Sequence, residues 1–111
     1  MTGLVVHRKR APFDVYIGRP PGDANLHYGN PFSDKPGNKA DVRVASRDEA
    51  VARFASWLDG TTDHDVNPER RAWILDHLPE LRGKVLGCWC APQACHGDVL
   101  ARLANEPLDA V

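Results

Sequence analysis

The chain has 111 residues, of which 42% are hydrophobic and 26% are charged, and this composition is that of a globular domain rather than a disordered chain. The net charge of −1 argues against a general electrostatic grip on nucleic acid. No apolar run approaches the roughly 20 residues that cross a bilayer, and there is no signal-peptide pattern, so we expect one cytoplasmic domain over residues 1–111 with no membrane partner.

The N-terminal part predicts two strands followed by a long loop. Leu4–Val6 and Phe13–Ile17 are rich in β-branched and aromatic residues, which favour strands. From Gly18 to about Asp41 the chain is rich in Gly, Pro, Asn and Asp. Connections of this length are usually functional or disordered. Because this one carries Tyr28 and Phe32, we expect a functional loop.

The middle of the chain predicts two helices. Ser46 and Glu49 form a capping box before an apolar stripe, and Gly60 follows as a stop signal. Asn67 caps a second helix that has Pro68 at its first position. The expected buried residues of the two helices are Val51, Phe54, Ala55 and Leu58, then Ala72, Ile74, Leu75 and Leu78, with Trp57 and Trp73 packing at the edges.

The C-terminal part predicts a third strand and a third helix. Lys84–Cys90 is apolar on both sides, which is typical of an inner, parallel strand. His96–Asn105 follows as a helix with Val99, Leu100 and Leu103 facing inward, and residues 106–111 have no pattern and are expected to fray.

This order of elements predicts an α/β fold: a small, Rossmann-like open sheet, mainly parallel, with flanking helices. The strands that end at Ile17 and near Cys90 should pair in parallel. Such sheets bind ligands beyond the carboxyl ends of their strands, so loops 18–32 and 88–98 should form one crevice.

The first loop offers ligand-binding candidates beginning with Gly18 at the strand end. Arg19 could clamp a phosphate or carboxylate in two hydrogen bonds, or simply lie on the surface in an ion pair. Asn30 is held extended by the proline that follows, so its amide could orient a substrate or bond to backbone. Phe32 could stack on a base, although packing under the loop is the favoured alternative.

The second loop ends at a helix start, where exposed amides and a partial positive charge favour anions. Gly97 would let a ligand approach the backbone, and Asp98 would act as acid or base, or only stabilise the helix end. Cys95 could be a nucleophile with His96 as its base, but adjacent side chains usually diverge.

The cysteines also permit a metal site. Cys88, Cys90, Cys95 and His96 form a Cys-x-Cys-x4-Cys-His pattern, whose three thiolates and one imidazole are a legitimate zinc set. The alternative is that buried cysteines are ordinary small hydrophobes, and for Cys88, inside the strand, this is the favoured interpretation.

Four strings carry a resemblance to a known family: Val15–Pro20, Gly29–Phe32, Leu81–Lys84 and Cys88–Asp98. Together they resemble the small bacterial and phage proteins known as domain of unknown function four-three-two-six, over about residues 13–105. Its recurring elements fall on Asn30-Pro31-Phe32 and Cys95-His96-Gly97-Asp98. The resemblance implies that these residues are important and that the protein belongs to a bacterial cell or a phage-infected host. It leaves the activity open.

Three hypotheses follow. The first is binding, hydrolysis or transfer of a phosphorylated small molecule, a nucleotide or nucleoside derivative, with Asp98, His96 and Cys95 as catalytic candidates. The second is a zinc-binding Cys3His module with a structural role, in which zinc is the cofactor. The third is a phage-type interaction protein that binds a host partner or nucleic acid. The oligomeric state is left open.

Overall fold

A computed structural model describes residues 4–18, 25–34, 41–88 and 95–105, and over these residues the fold is mixed α/β with parallel strands. The α-helices in these ranges are α1, Arg47–Leu58, α2, Pro68–His77, and α3, His96–Asn105, with a 3₁₀ turn at Leu78–Leu81 after α2. The strands are β1, Leu4–His7, β2, Val15–Tyr16, β3, Phe32–Ser33, β4, Val42–Arg43, and β5, Val85–Cys88.

A three-stranded sheet has the order β1-β5-β2, and both of its pairings are parallel. This confirms the predicted parallel pairing and the inner position of β5, where Leu86 and Cys88 are buried. Strand β2 is shorter than the predicted Phe13–Ile17. Asp14 bonds to Val85 through both its amide and its carboxylate, and the Phe13 ring lies across Gly87 instead of extending the strand.

A second, two-stranded sheet pairs β3 with β4, again in parallel. Its ladder continues beyond the strands, because the Val42 amide donates to the Pro31 carbonyl and the Val44 amide to the Ser33 carbonyl, both at 2.9 Å. The sequence did not indicate β4, since two residues are too few to show alternation. The described strands therefore lie in two parallel sheets, and the single Rossmann-like open sheet is not confirmed.

Helix α1 begins as the capping box predicts. The Ser46 hydroxyl accepts from the Glu49 amide at 3.1 Å, and the Glu49 carboxylate accepts from the amide of Ala45, one residue before the cap. The prediction that Trp57 packs at an edge is wrong. Trp57 is 1% exposed. Its indole N–H, the one polar group of the side chain, donates to the Val66 carbonyl at 2.6 Å, so it is not buried without a partner.

Helix α2 begins as predicted, with the Asn67 side chain accepting from the Arg70 amide. Its buried residues are Ile74 and Arg70, so the expected burial of Ala72 and Leu75 is wrong; Leu75 is 38% exposed. The apolar spacing alone could not show this, because only the tertiary structure places a guanidinium on the inner face.

Helix α3 has the predicted bounds, and Val99 and Leu100 are buried while Leu103 packs against the core from a half-buried position. Gly97 lets the helix lie against the three-stranded sheet, since a Cβ there would meet Ile17 and, at 3.1 Å, Val5. Within the described ranges the longest helix has 12 residues, and none combines the length and apolar character that crossing a bilayer takes.

Arg70 joins α2 to the two loops that precede it. Its Nε donates to the Asn25 carbonyl at 2.9 Å and its NH1 to the Gly29 carbonyl at 3.4 Å, and Asp41 lies 3.5 Å from NH1. Desolvation lowers the pKa of Arg70, while Asp41 acts in the opposite direction. The guanidinium thus satisfies loop carbonyls that no strand or helix satisfies.

We expect Arg70→Met to lower the free energy of unfolding by about 2–4 kcal/mol, because it leaves the buried carbonyl of Gly29 and the partly buried carbonyl of Asn25 without their donor. Urea unfolding followed by circular dichroism measures the change. The matched control is Arg82→Met, at an exposed position, which should change stability by less than about 0.5 kcal/mol. Equal losses in the two variants would contradict this role.

Candidate functional site

The candidate site lies at the carboxyl edge of the three-stranded sheet, where β2 and β5 end beside the start of α3. The Ile17 amide donates to the Gly87 carbonyl at 2.9 Å, so Gly18 and Cys88 leave their strands next to each other. His96 Nε2 is 2.8 Å from the Ile17 carbonyl oxygen. The start of α3 therefore contacts the point at which the first loop begins.

Helix α1 forms a common support for the two loops. The Asn30 side-chain amide donates to the Ala50 carbonyl at 3.1 Å, and the His96 ring meets the Phe54 ring edge-on with centroids 5.1 Å apart. Residues four apart on a helix share one face and are roughly 6 Å apart. Asn30 and His96 are thus anchored on the same side of α1, one turn from each other.

Asn30 uses its side chain to shape its own loop. Its Oδ1 accepts from the Phe32 amide at 2.9 Å while its Nδ2 bonds to α1, and the residue is buried. Phe32 packs beneath the loop, edge-on to Trp57, with the Arg53 guanidinium 4.7 Å above its ring. The sequence left two alternatives open for each of these residues. In the structure, Asn30 bonds to backbone and Phe32 packs under the loop.

The start of α3 is a capping box built around a sulfur. Cys95 Sγ accepts from the Gly97 amide at 3.3 Å, and the Asp98 carboxylate accepts from the Cys95 amide at 3.1 Å. The Asp98 amide in turn donates to the Cys95 carbonyl. The amides of Gly97 and Asp98, which the sequence assigned to an anion, already have acceptors within the turn. Asp98 itself is exposed and holds the helix end.

Cys95 and His96 come together despite the expectation that their side chains diverge. Because the Ile17 carbonyl can only accept, His96 Nε2 is assigned as the donor, and Nδ1 of the neutral ring is then an acceptor. That Nδ1 lies 3.7 Å from Cys95 Sγ. The reason is the cap geometry, which turns the thiol back over the first turn while Phe54 holds the ring. The Cys95 thiol, the His96 ring and the Ile17 carbonyl are thus in successive contact.

The zinc set is not assembled by the described residues. Cys88 and Cys95 have their sulfurs 3.2 Å apart and are both 1% exposed, so both side chains are buried. Among the residues that the structure describes, no three or more His, Cys, Asp or Glu side chains are arranged to hold a metal ion. Cys90, the remaining member of the set, lies outside the described residues, as does Arg19.

Tyr16 is a neighbour of the site that sequence reasoning missed. Its phenol folds over Gly18, where a Cβ would collide with it, and the Arg8 guanidinium lies 4.9 Å from the centre of its ring. Gly18 therefore makes room for a side chain of the protein at the strand end. No sequence signal could have found this, since Tyr16 has the spacing of an ordinary strand residue.

We expect Asn30→Ala to lower the free energy of unfolding by about 1–3 kcal/mol, because it removes both bonds that join this loop to itself and to α1. Thermal and urea unfolding measure the loss, and Asp76→Ala, at an exposed position on α2, is the control. If Asn30→Ala were as stable as the unchanged protein, the amide would be available for a ligand.

Comparison with known proteins places the chain in a family. No solved structure matches it. The chain is 30% identical over 102 residues to the "uncharacterized 12.4 kDa protein in nrdA-td intergenic region" of Enterobacteria phage T4, an alignment that covers 92% of this chain and 77% of that protein. The family model described as "domain of unknown function (DUF4326)" matches residues 5–106. The chain therefore belongs to the DUF4326 family.

Proposed function

We propose that this protein binds a phosphorylated small molecule, a nucleotide or nucleoside derivative, in a crevice between loops 18–32 and 88–98, and hydrolyses it or transfers part of it. The observation that carries the proposal is the contact of the His96 ring with both the Cys95 sulfur and the Ile17 carbonyl, at the carboxyl edge of a parallel sheet. We further propose that it acts in the cytoplasm of a bacterial or phage-infected cell.

The position of the site supports ligand binding. In open parallel sheets, including Rossmann-like ones, ligands bind beyond the carboxyl ends of the strands. Gly18 and Cys88 mark two such ends here, and the positive end of α3 faces the same edge. Arg19, outside the described residues, supplies the cation in this proposal and pairs with the phosphate through two hydrogen bonds.

The chemistry assigned to the site is nucleophilic. His96 Nδ1 takes the proton of the Cys95 thiol, the sulfur bonds to the reacting centre, and the bond to the leaving group breaks. The imidazolium returns that proton to the leaving group, and water then cleaves the bond between sulfur and substrate. The present separation of 3.7 Å must shorten when the substrate binds, which is common in ligand-free active sites, and the Cys95 sulfur, 1% exposed here, must become accessible to the substrate at the same time. Asp98 holds the Cys95 backbone in place during these steps.

We expect Arg19→Ala to leave folding nearly intact and to remove binding, because it takes away the cation that pairs with the phosphate. Asp98→Asn should leave both folding and binding nearly intact, because asparagine keeps an oxygen that accepts from the Cys95 amide and the charge it removes is negative. Calorimetric titration with nucleoside mono-, di- and triphosphates measures binding, and circular dichroism monitors the fold. Glu69→Gln, exposed on α2, is the charge-matched control for Asp98→Asn. Unfolding of either variant would instead make its residue architectural.

We expect Cys95→Ser to reduce turnover of the nucleotide that binds by at least about 100-fold while affinity changes little, because serine fills the site without a comparable nucleophile. Phosphorus NMR of the reaction mixture measures the products. Unchanged turnover would remove Cys95 from the chemistry and leave a binding protein.

The zinc hypothesis predicts a different result on the same preparation. A Cys3His site would hold about one zinc ion per chain and would lose its fold on chelation. Since our proposal assigns Cys95 and His96 to chemistry, we expect well under about 0.1 zinc per chain and no change in Tm with a chelator. Elemental analysis and thermal unfolding decide between the two.

A further inference from the structure

The buried sulfurs of Cys88 and Cys95 lie against each other, and the proposed function uses the Cys95 sulfur but gives no role to Cys88. Their separation is 3.2 Å, against about 2.05 Å in a disulfide, so a bond needs the sulfurs to move together by only about 1.2 Å. Both are thiols in this structure. One belongs to the end of β5 and the other to the cap of α3, so the pair spans the site.

The surroundings of the two sulfurs differ. Cys95 Sγ receives the Gly97 amide hydrogen at 3.3 Å, lies at the positive end of α3, and has His96 Nδ1 at 3.7 Å. Each of these contacts stabilises negative charge on sulfur or accepts its proton. Cys88 lies at the end of strand β5, and its sulfur contacts the Cys95 sulfur. The geometry therefore makes Cys95 the nucleophile and Cys88 the group that resolves it.

We propose that Cys88 and Cys95 are a reversible redox pair that a hydroperoxide of the size of hydrogen peroxide oxidises to a disulfide. Because both residues are 1% exposed, a water-sized oxidant reaches them more readily than a bulky disulfide does. The inference shares Cys95 and His96 with the proposed function but requires no nucleotide, so each can fail without the other.

The reaction balances in two steps. His96 Nδ1 first takes the proton of the Cys95 thiol. The thiolate then attacks one peroxide oxygen, the O–O bond breaks, and the departing hydroxide takes that proton from His96 to leave as water, so that the sulfur becomes sulfenic acid. The Cys88 sulfur then attacks the Cys95 sulfur, the S–O bond breaks, and the hydroxide leaves as water with the Cys88 proton. Overall, two thiols and one peroxide give one disulfide and two waters, and a dithiol reductant reverses the change.

The test counts thiols in the full chain after treatment with hydrogen peroxide in the presence of a chelator. Alkylation under denaturing conditions, followed by intact mass measurement, should find three reactive cysteines before oxidation and one afterwards, with three again after dithiothreitol. Monomeric mass under nonreducing conditions shows that the bond is intramolecular.

Cysteine variants assign the pairing, because all three cysteines fall in one tryptic peptide, residues 85–102. Cys90→Ser should still lose two thiols on oxidation. Cys88→Ser should form no disulfide and should give a dimedone adduct, the mark of sulfenic acid, on Cys95. Cys95→Ser should give neither product at the peroxide dose that oxidises the unchanged protein.

Three results would overturn the inference: retention of all three thiols, a disulfide that disappears in Cys90→Ser, or a dimedone adduct on Cys88 in place of Cys95. If a serine variant fails to fold, fragmentation of the oxidised peptide from the unchanged protein assigns the bond directly. Loss of nucleotide binding would sink the proposed function and leave this result untouched, and failure to form the disulfide would do the reverse.

Discussion

Strand β5 has a parallel neighbour on each side, and this position determines where the candidate functional groups lie. The Ile17 amide donates to the Gly87 carbonyl and the Arg8 amide to the Cys88 carbonyl, so the flanking chains are held to the end of β5. Side chains alternate along the strand: Phe13 covers Gly87 on one face, and the sulfur of Cys88 meets Cys95 on the other. A buried central strand has room only for small or apolar side chains at these places.

The start of α3 uses its own residues to satisfy its free amides, and this changes the chemistry expected there. A helix N-terminus with unsatisfied amides is an anion site. Here the Gly97 amide is taken by the Cys95 sulfur and the Asp98 amide by the Cys95 carbonyl. The positive end of the helix therefore stabilises negative charge on the Cys95 sulfur. A bound phosphate would need a cation from another part of the chain. The same arrangement suits a nucleophile and an oxidisable sulfur, because both require a stabilised thiolate.

The second sheet is attached to the rest of the molecule through buried polar groups. Arg70 is 5% exposed and bonds to the carbonyls of Asn25 and Gly29, and Asn30 bonds to α1 from the next position in the loop. Such groups stabilise a fold only when their partners are complete, since each unpaired buried donor or acceptor costs free energy. Tyr28 is a further buried polar group with a partner, because its hydroxyl donates to the His77 carbonyl. Burial raises the pKa of Tyr28, and the negative charge of Glu80 raises it further.

Local signals in the sequence determined the helices and the central strand. The Ser46 capping box, the Asn67-Pro68 start and the apolar run of Lys84–Cys90 act over a few residues, and the structure has α1, α2 and β5 where they indicate. Length and composition likewise indicated a globular chain, and the order of the predicted elements indicated an α/β fold. These features need only neighbouring residues to satisfy amides or to bury one face.

Tertiary structure alone decided the short pairings and the contacts of the site. A two-residue strand such as β4 has no periodicity of its own and exists because Pro31 and Ser33 offer it carbonyls. Tertiary packing also buries Arg70 and places the Tyr16 ring over Gly18. It brings His96 into contact with both Ile17 and Cys95. These residues are distant in the chain, or have side chains that would otherwise diverge. Such contacts depend on how whole elements pack, and no local pattern of residues encodes that packing.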